Sequence, residues 1–241
     1  MKSVIFNFSL AAVFILVFGP ALANNNTTKK ATNTEFVVDF RSIHTWRGIV
    51  TSYSPTIEPW FEVRTNNTTT GIWFAQSIDG NYTELDLYFL YSYKNFTLGV
   101  YDYYCPPTFQ ASSEITNYSQ NTTYHTIELT LAYKGPESFP VNFMVATMVY
   151  GDDLHSETNK NRYSSYFEIS YSETIEENNI DLVLGINPFK SYYGEHFGVV
   201  NAGITASRNL KIFKQKEIPL QASLIANPLS NAFHLKFGFT L

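Results

Sequence analysis

Between residues 82 and 104 the chain alternates with period two. Leu85, Leu87, Phe89, Tyr91 and Tyr93 fall on one parity, and Glu84, Asp86, Tyr88, Leu90 and Ser92 on the other. Successive side chains of a strand point to opposite faces, so one face is apolar and the other mixed or acidic. Lys94-Asn95 breaks the pattern, which resumes with Phe96, Leu98 and Val100 opposite Thr97, Gly99 and Tyr101. This predicts a β-hairpin. Its arms of about ten residues exceed the roughly five to six of an average strand and suit a tilted strand crossing a bilayer, roughly nine to eleven.

The same pattern recurs along the chain. Phe36, Val38 and Phe40 alternate with Val37, Asp39 and Arg41. Ile57, Pro59, Phe61 and Val63 alternate with Glu58, Trp60, Glu62 and Arg64; Pro59 cannot donate to a ladder and predicts a bulge or a strand start. Further strands are predicted at 71–77, 127–133, 141–149, 166–171, 180–186, 200–206, 218–226 and 233–241. Together with the hairpin arms they make twelve. Residues 44–55 break the pattern around Trp46-Arg47-Gly48. Residues 105–123, 151–161 and 188–196 read as long loops, and the basic stretch 207–217 as an extended turn. An even strand count places both termini on one side. The contrast between short and long connections matches single-chain outer-membrane barrels.

Alternation alone does not say which face meets solvent, because a soluble sandwich shows the same period. Three features favour the membrane sense. The strands are long and in order. Tyr91, Tyr93, Tyr133 and Tyr171 sit near strand ends, where interfacial girdles lie. The chain ends in an alternating strand with Phe239, the kind of signal read by barrel-insertion machinery. The fold expected is all-β: a transmembrane antiparallel up-and-down barrel of about twelve strands over residues 35–241.

Residues 1–23 read as a cleaved secretory signal peptide: basic Lys2, an apolar run from Val4 to Phe18, Gly19-Pro20, then Ala21-Leu22-Ala23. Residues 24–34 read as a flexible lead-in. Sixteen Lys and Arg against 21 Asp and Glu give a net charge of −5, which does not favour nucleic acid. The single Cys105 rules out an intrachain disulfide scaffold. Asn-x-Ser/Thr triplets such as that at Asn95 read as chance in an Asn-rich chain.

A characteristic order of motifs runs through the chain. Asp39-Phe40-x-Ser42, Trp46-Arg47-Gly48 and Pro55-x-Ile57-Glu58-Pro59 open it. Glu84-Leu85-Asp86-Leu87-Tyr88, Asn95-Phe96 and Tyr101-Asp102-Tyr103-Tyr104 follow. His125-x-x-Glu128, Gly135-Pro136, Phe139-Pro140, Tyr150-Gly151, Tyr166-x-Glu168, Tyr193-Gly194 and Asn227-Pro228 complete it. In order and spacing this resembles the TorF-type porins, a bacterial outer-membrane family whose function is itself inferred. The resemblance implies an outer-membrane barrel and a pore, without naming a solute.

If the apolar parity meets lipid, the other faces the lumen. It carries Asp39, Glu58, Glu62, Glu84, Asp86, Glu128, Glu168 and Asp181 against Arg41, Arg64 and Lys236. Acids outnumber bases, so a water-filled lumen would favour cations. Inward charges that pair across the lumen, as Asp39 with Arg41, would instead plug it. Trp46-Arg47-Gly48 is either a constriction or ligand contact, or a bent strand end with Gly48 relieving the backbone and Trp46 at the membrane interface, the latter favoured. Tyr101 and Asp102 read as an aromatic strand end. No metal-ligand spacing, Gly-x-Ser-x-Gly or phosphate loop is present, and no cofactor is expected. The expected function is a non-enzymatic porin passing small hydrophilic solutes or ions. A surface adhesin or receptor with a plugged lumen is the alternative, and an outer-membrane hydrolase with dispersed Ser and His a third.

Overall fold

The computed structural model describes residues 32–107, 114–213 and 216–241. The expected signal peptide, and the lead-in as far as residue 31, lie outside the described residues. Period-two alternation becomes strand throughout. The strands are β1 (Thr32–Arg41), β2 (His44–Trp46), β3 (Ile49–Ser52), β4 (Thr56–Thr65), β5 (Thr68–Ser77), β6 (Thr83–Tyr93) and β7 (Phe96–Tyr104). They continue with β8 (His125–Tyr133), β9 (Val141–Gly151), β10 (Ser165–Ile175), β11 (Asn178–Asn187), β12 (Gly198–Phe213), β13 (Lys216–Asn227) and β14 (Ala232–Thr240).

Twelve of these close an antiparallel barrel in which each strand pairs with its neighbours in the chain; β2 and β3 form a separate hairpin. The ring closes between β1 and β14, with Asp39 opposite Thr240 and Arg41 opposite Gly238. Val38 and Leu241 exchange backbone hydrogen bonds of 3.1 and 2.9 Å beside this seam. On its outer face the Phe40 and Phe239 rings stack 4.7 Å apart. On its inner face Arg41 lies over Gly238, where a Cβ would come within 2.5 Å of the guanidinium.

The partition of side chains is the reverse of a soluble barrel. Along β14, Phe233, Leu235, Phe237 and Phe239 are exposed while His234, Lys236 and Thr240 are partly covered. Leu129 on β8 is 47% exposed while its neighbour Glu128 is 0% exposed. Apolar side chains therefore face outward and charges inward, which is stable only where the outer surface meets hydrocarbon. Tyr91, Tyr93, Phe96, Tyr133 and Tyr171 gather where tight turns join the strands, forming an aromatic belt at that end.

At the turn end, Asn66-Asn67, Lys94-Asn95 and Glu176-Glu177 are two-residue connections, and Asn66, Lys94 and Glu176 take the left-handed backbone. The long connections that follow β7, β9 and β11 leave from the opposite end. Four local expectations are corrected. The basic stretch 207–217 is not a turn: β12 and β13 run through it, with Arg208 opposite Leu220. Pro59 sits within β4 opposite Val38, with no bulge; pairing with β5 lapses between Ile57 and Trp60, where proline has no donor. The strand expected at 200–206 does not keep one alternation from its start: a register shift opposite Gly185 and Ile186 leaves Val200 without a pairing partner on β11 and fully buried. Residues 44–55 are not merely a strand end, because they contain the β2–β3 hairpin.

Candidate functional site

The β2–β3 hairpin occupies the lumen. Its tip, Arg47-Gly48, has positive φ at both residues (49° and 80°), the backbone a tight two-residue hairpin demands. Glycine is also required by proximity. A Cβ on Gly48 would lie 1.9 Å from the Val200 carbonyl oxygen, so the tip lies against the wall at the β12 bulge. Asn227 Nδ2 donates to the Gly48 carbonyl at 3.3 Å from the next strand.

From this tip Arg47 reaches Glu128. Nη1 donates to Oε2 at 2.6 Å and Nη2 to Oε1 at 2.8 Å, a two-pronged pair. Tyr103 donates to the same carboxylate at 3.0 Å, and Arg47 also donates to the Tyr193 hydroxyl. The guanidinium carbon lies 4.6 Å from the Trp46 ring centre and 4.7 Å from that of Tyr166. Burial works against the Arg47 charge, but Tyr193 and Glu128 hold its pKa well above the ordinary arginine value. Burial pushes the Tyr193 phenol up. Trp46 packs at 5.7 Å from Tyr103 and 5.5 Å from Tyr193, inside the barrel rather than at the membrane interface. Trp46-Arg47-Gly48 is thus the tip of an inward-folded hairpin held by the Arg47–Glu128 pair, with Trp46 packed on Tyr103 and Tyr193.

The base of the hairpin is also tied. His44 Nδ1 meets Glu58 Oε1 at 2.8 Å, and Thr56 donates to that oxygen at 2.6 Å. Lys236 Nζ donates to Thr45 Oγ1 at 3.0 Å. The lumen holds two cavities, the first of them lined in part by the hairpin. One, of about 340 Å³, lies toward the loops among Trp46, Tyr82, Tyr103, Tyr192, Glu84 and Cys105. Cys105 is open to this cavity yet surrounded by protein. Burial, then Glu84 and Asp86, push its thiol well up, so it stays protonated and poorly nucleophilic. The other, of about 280 Å³, extends toward the turn end among Asp39, Trp60, Glu62, Trp73, Asp86, Tyr88 and Tyr101.

The anticipated charges are distributed as follows. Asp39 pairs with Arg41 at 2.8 Å. Glu62 pairs with Arg64, which also binds Glu35 at 2.8 Å. Glu168 accepts from Tyr166 at 2.7 Å, and Asp181 from Ser172 at 2.6 Å. Glu84 accepts from Tyr82 and from the Cys105 thiol. Asp86 lies opposite Trp73 and is 9% exposed. Tyr101 stacks between Tyr88 and Tyr103 along the wall. Asp102, next in sequence, has the opposite parity and leaves the lumen. It is buried on the outer side by Tyr118 at 2.6 Å and His125 at 2.8 Å. Tyr193, Tyr166 and His44 also belong to the site; the motifs Tyr166-x-Glu168 and Tyr193-Gly194 pointed to the first two without a role, and nothing pointed to His44.

No protein-family model and no curated protein matches the chain. Solved structures with similarity to it include an outer membrane channel from Pseudomonas putida F1, at 14% identity and TM-score 0.40, covering 89% of this chain and 96% of that one. A mutant Rh. blastica porin matches at 6% identity and TM-score 0.38, covering 88% and 99%. A bacterial polysaccharide outer membrane secretin matches at 9% identity and TM-score 0.36, covering 89% and 99%. At such values the architecture rests on this chain's own strand order and side-chain partition.

Proposed function

We propose that the protein is a bacterial outer-membrane channel of porin type, akin to the TorF-type porins, passing small hydrophilic solutes with a preference for cations. The observation that carries this is the inside-out barrel, with an apolar outer band around a charged interior. In this reading Lys94-Asn95 and the other tight turns face the periplasm and the long loops face outward. Outer-membrane lipid surrounds the barrel, and insertion machinery reads β14. Within the lumen Glu35, Glu58, Glu62, Glu84 and Asp86 exceed the cations that meet them, so the field favours positive solutes. The Arg47 constriction sets the conducting state, because the pore widens only when the hairpin tip leaves Glu128.

Planar-bilayer recording tests this. The expected result is small discrete conductance, with a reversal potential in a KCl gradient displaced toward that of potassium. A well-folded protein that stays silent, with Arg47→Ala equally silent, overturns the channel. The second reading, a surface receptor with a plugged lumen, draws on the same Arg47–Glu128 closure. It predicts that silence.

A further inference from the structure

The turn-side cavity holds a group that the rest of the lumen does not satisfy. Asp86 is 9% exposed, and its Oδ1 has no hydrogen-bond partner. Its strand pairing sets it opposite Trp73, and it lines the cavity with Trp60, Tyr88 and Tyr101. The other acids there are matched: Asp39 by Arg41, and Glu62 by Arg64 and by the Tyr88 hydroxyl at 2.8 Å. The carboxyl of Asp86 also meets that of Glu84, two residues earlier on the same face. Two facing carboxyls call for a shared proton or a cation. A buried acceptor left without a partner is costly, so such a group in a cavity points to what fills it.

We propose that this cavity binds an organic ammonium ion, with Asp86 as its counter-charge and the faces of Trp60, Trp73, Tyr88 and Tyr101 as its walls. Aromatic faces attract a soft, weakly hydrated cation through the ring quadrupole. A hard metal ion would need six or more oxygens around it; of the three carboxyls that line the cavity, Asp39 and Glu62 are already held by Arg41 and Arg64, and the other four lining residues are rings. The volume of about 280 Å³ lies just below the range typical of drug-sized ligands, roughly 300 to 1,000 Å³, so the occupant is small. The site deepens the channel reading and rests on it for the route by which the ligand arrives. Binding itself needs only the folded barrel.

The chain has three Trp, and two of them, Trp60 and Trp73, line the cavity, so intrinsic fluorescence reports occupancy. Detergent-solubilised protein would be titrated with choline, with its neutral isostere 3,3-dimethylbutan-1-ol, and with potassium chloride at equal ionic strength. Choline is expected to give a saturable change that the alcohol and potassium do not. Asp86→Asn should weaken it about tenfold or more, and Trp73→Leu several-fold, while Glu195→Gln in an exposed loop leaves it unchanged. Circular dichroism and heat-modifiable migration would show that each variant folds; if Asp86→Asn does not, Trp73→Leu decides. No saturable choline signal, an equal signal from the alcohol, or unchanged affinity in the folded variants overturns the site. Bilayer recording separates the two claims. A conducting protein that ignores choline loses the site alone, and a silent protein that binds choline keeps the site and loses the open pore.

Discussion

Gly48 and Arg47 carry the constriction. Gly48→Ala places a methyl on a left-handed backbone and 1.9 Å from a main-chain oxygen, where neither side can yield by rotating a side chain. Strain at such a site is about 1–3 kcal/mol, and the tip escapes it by leaving the wall. The expected outcome is higher single-channel conductance with the barrel intact. The Arg47–Glu128 pair behaves differently. Removing one partner leaves the other buried and uncompensated, at about 3–5 kcal/mol. Arg47→Met should therefore lower the unfolding midpoint in urea, and adding Glu128→Gln should restore much of it. A double-mutant cycle checks this; additive losses would mean that the two side chains do not act as a pair.

At the scale of elements, the strands and the hairpin have separate jobs. The barrel ladder runs through twelve strands and does not include β2 or β3. Replacing residues 44–52 by a flexible linker should leave the barrel folded and raise its conductance several-fold, measured in a planar bilayer. A barrel that no longer folds would show the hairpin to be part of its core, since Trp46 and Ile49 pack with Met148, Tyr166, Tyr193 and Val200. The outer face has its own test. Leu129→Arg, near the middle of β8, should cost about 2–4 kcal/mol of folding into lipid. Thr130→Lys, one residue on and facing inward, should cost far less. Equal losses in vesicle-refolding titrations would contradict the assignment of faces.

For the whole molecule, selectivity is a sum over the lumen wall rather than the property of one residue. Arg41, Arg64 and Arg47 are each held by a carboxylate. Asp86 and Glu84 have no cationic partner among the described residues. Neutralising both, as Glu84→Gln with Asp86→Asn, should move the reversal potential in a KCl gradient toward zero. Glu195→Gln, exposed on a loop, should not move it. A selectivity unchanged by the double variant would place the deciding field elsewhere.

Period-two alternation was enough to locate every barrel strand, because one face of each meets hydrocarbon and the other does not. The Lys94-Asn95 turn and the Asp39–Arg41 pair were readable for the same reason: both are local, set by residues one or two apart. What filled the barrel was not readable. Arg47 and Glu128 are 81 residues apart and meet only because a hairpin with two left-handed residues folds inward, a route no periodicity records. Asp102 shares a motif with Tyr101 yet faces the other way, where Tyr118 and His125 cover it. Sequence by itself determined the twelve barrel strands and the alternation of their faces, since these follow from the local pattern of side chains. Only the tertiary structure decided that a hairpin lies in the lumen, and which ion pair holds it there, since that depends on groups distant in the chain burying one another's charge.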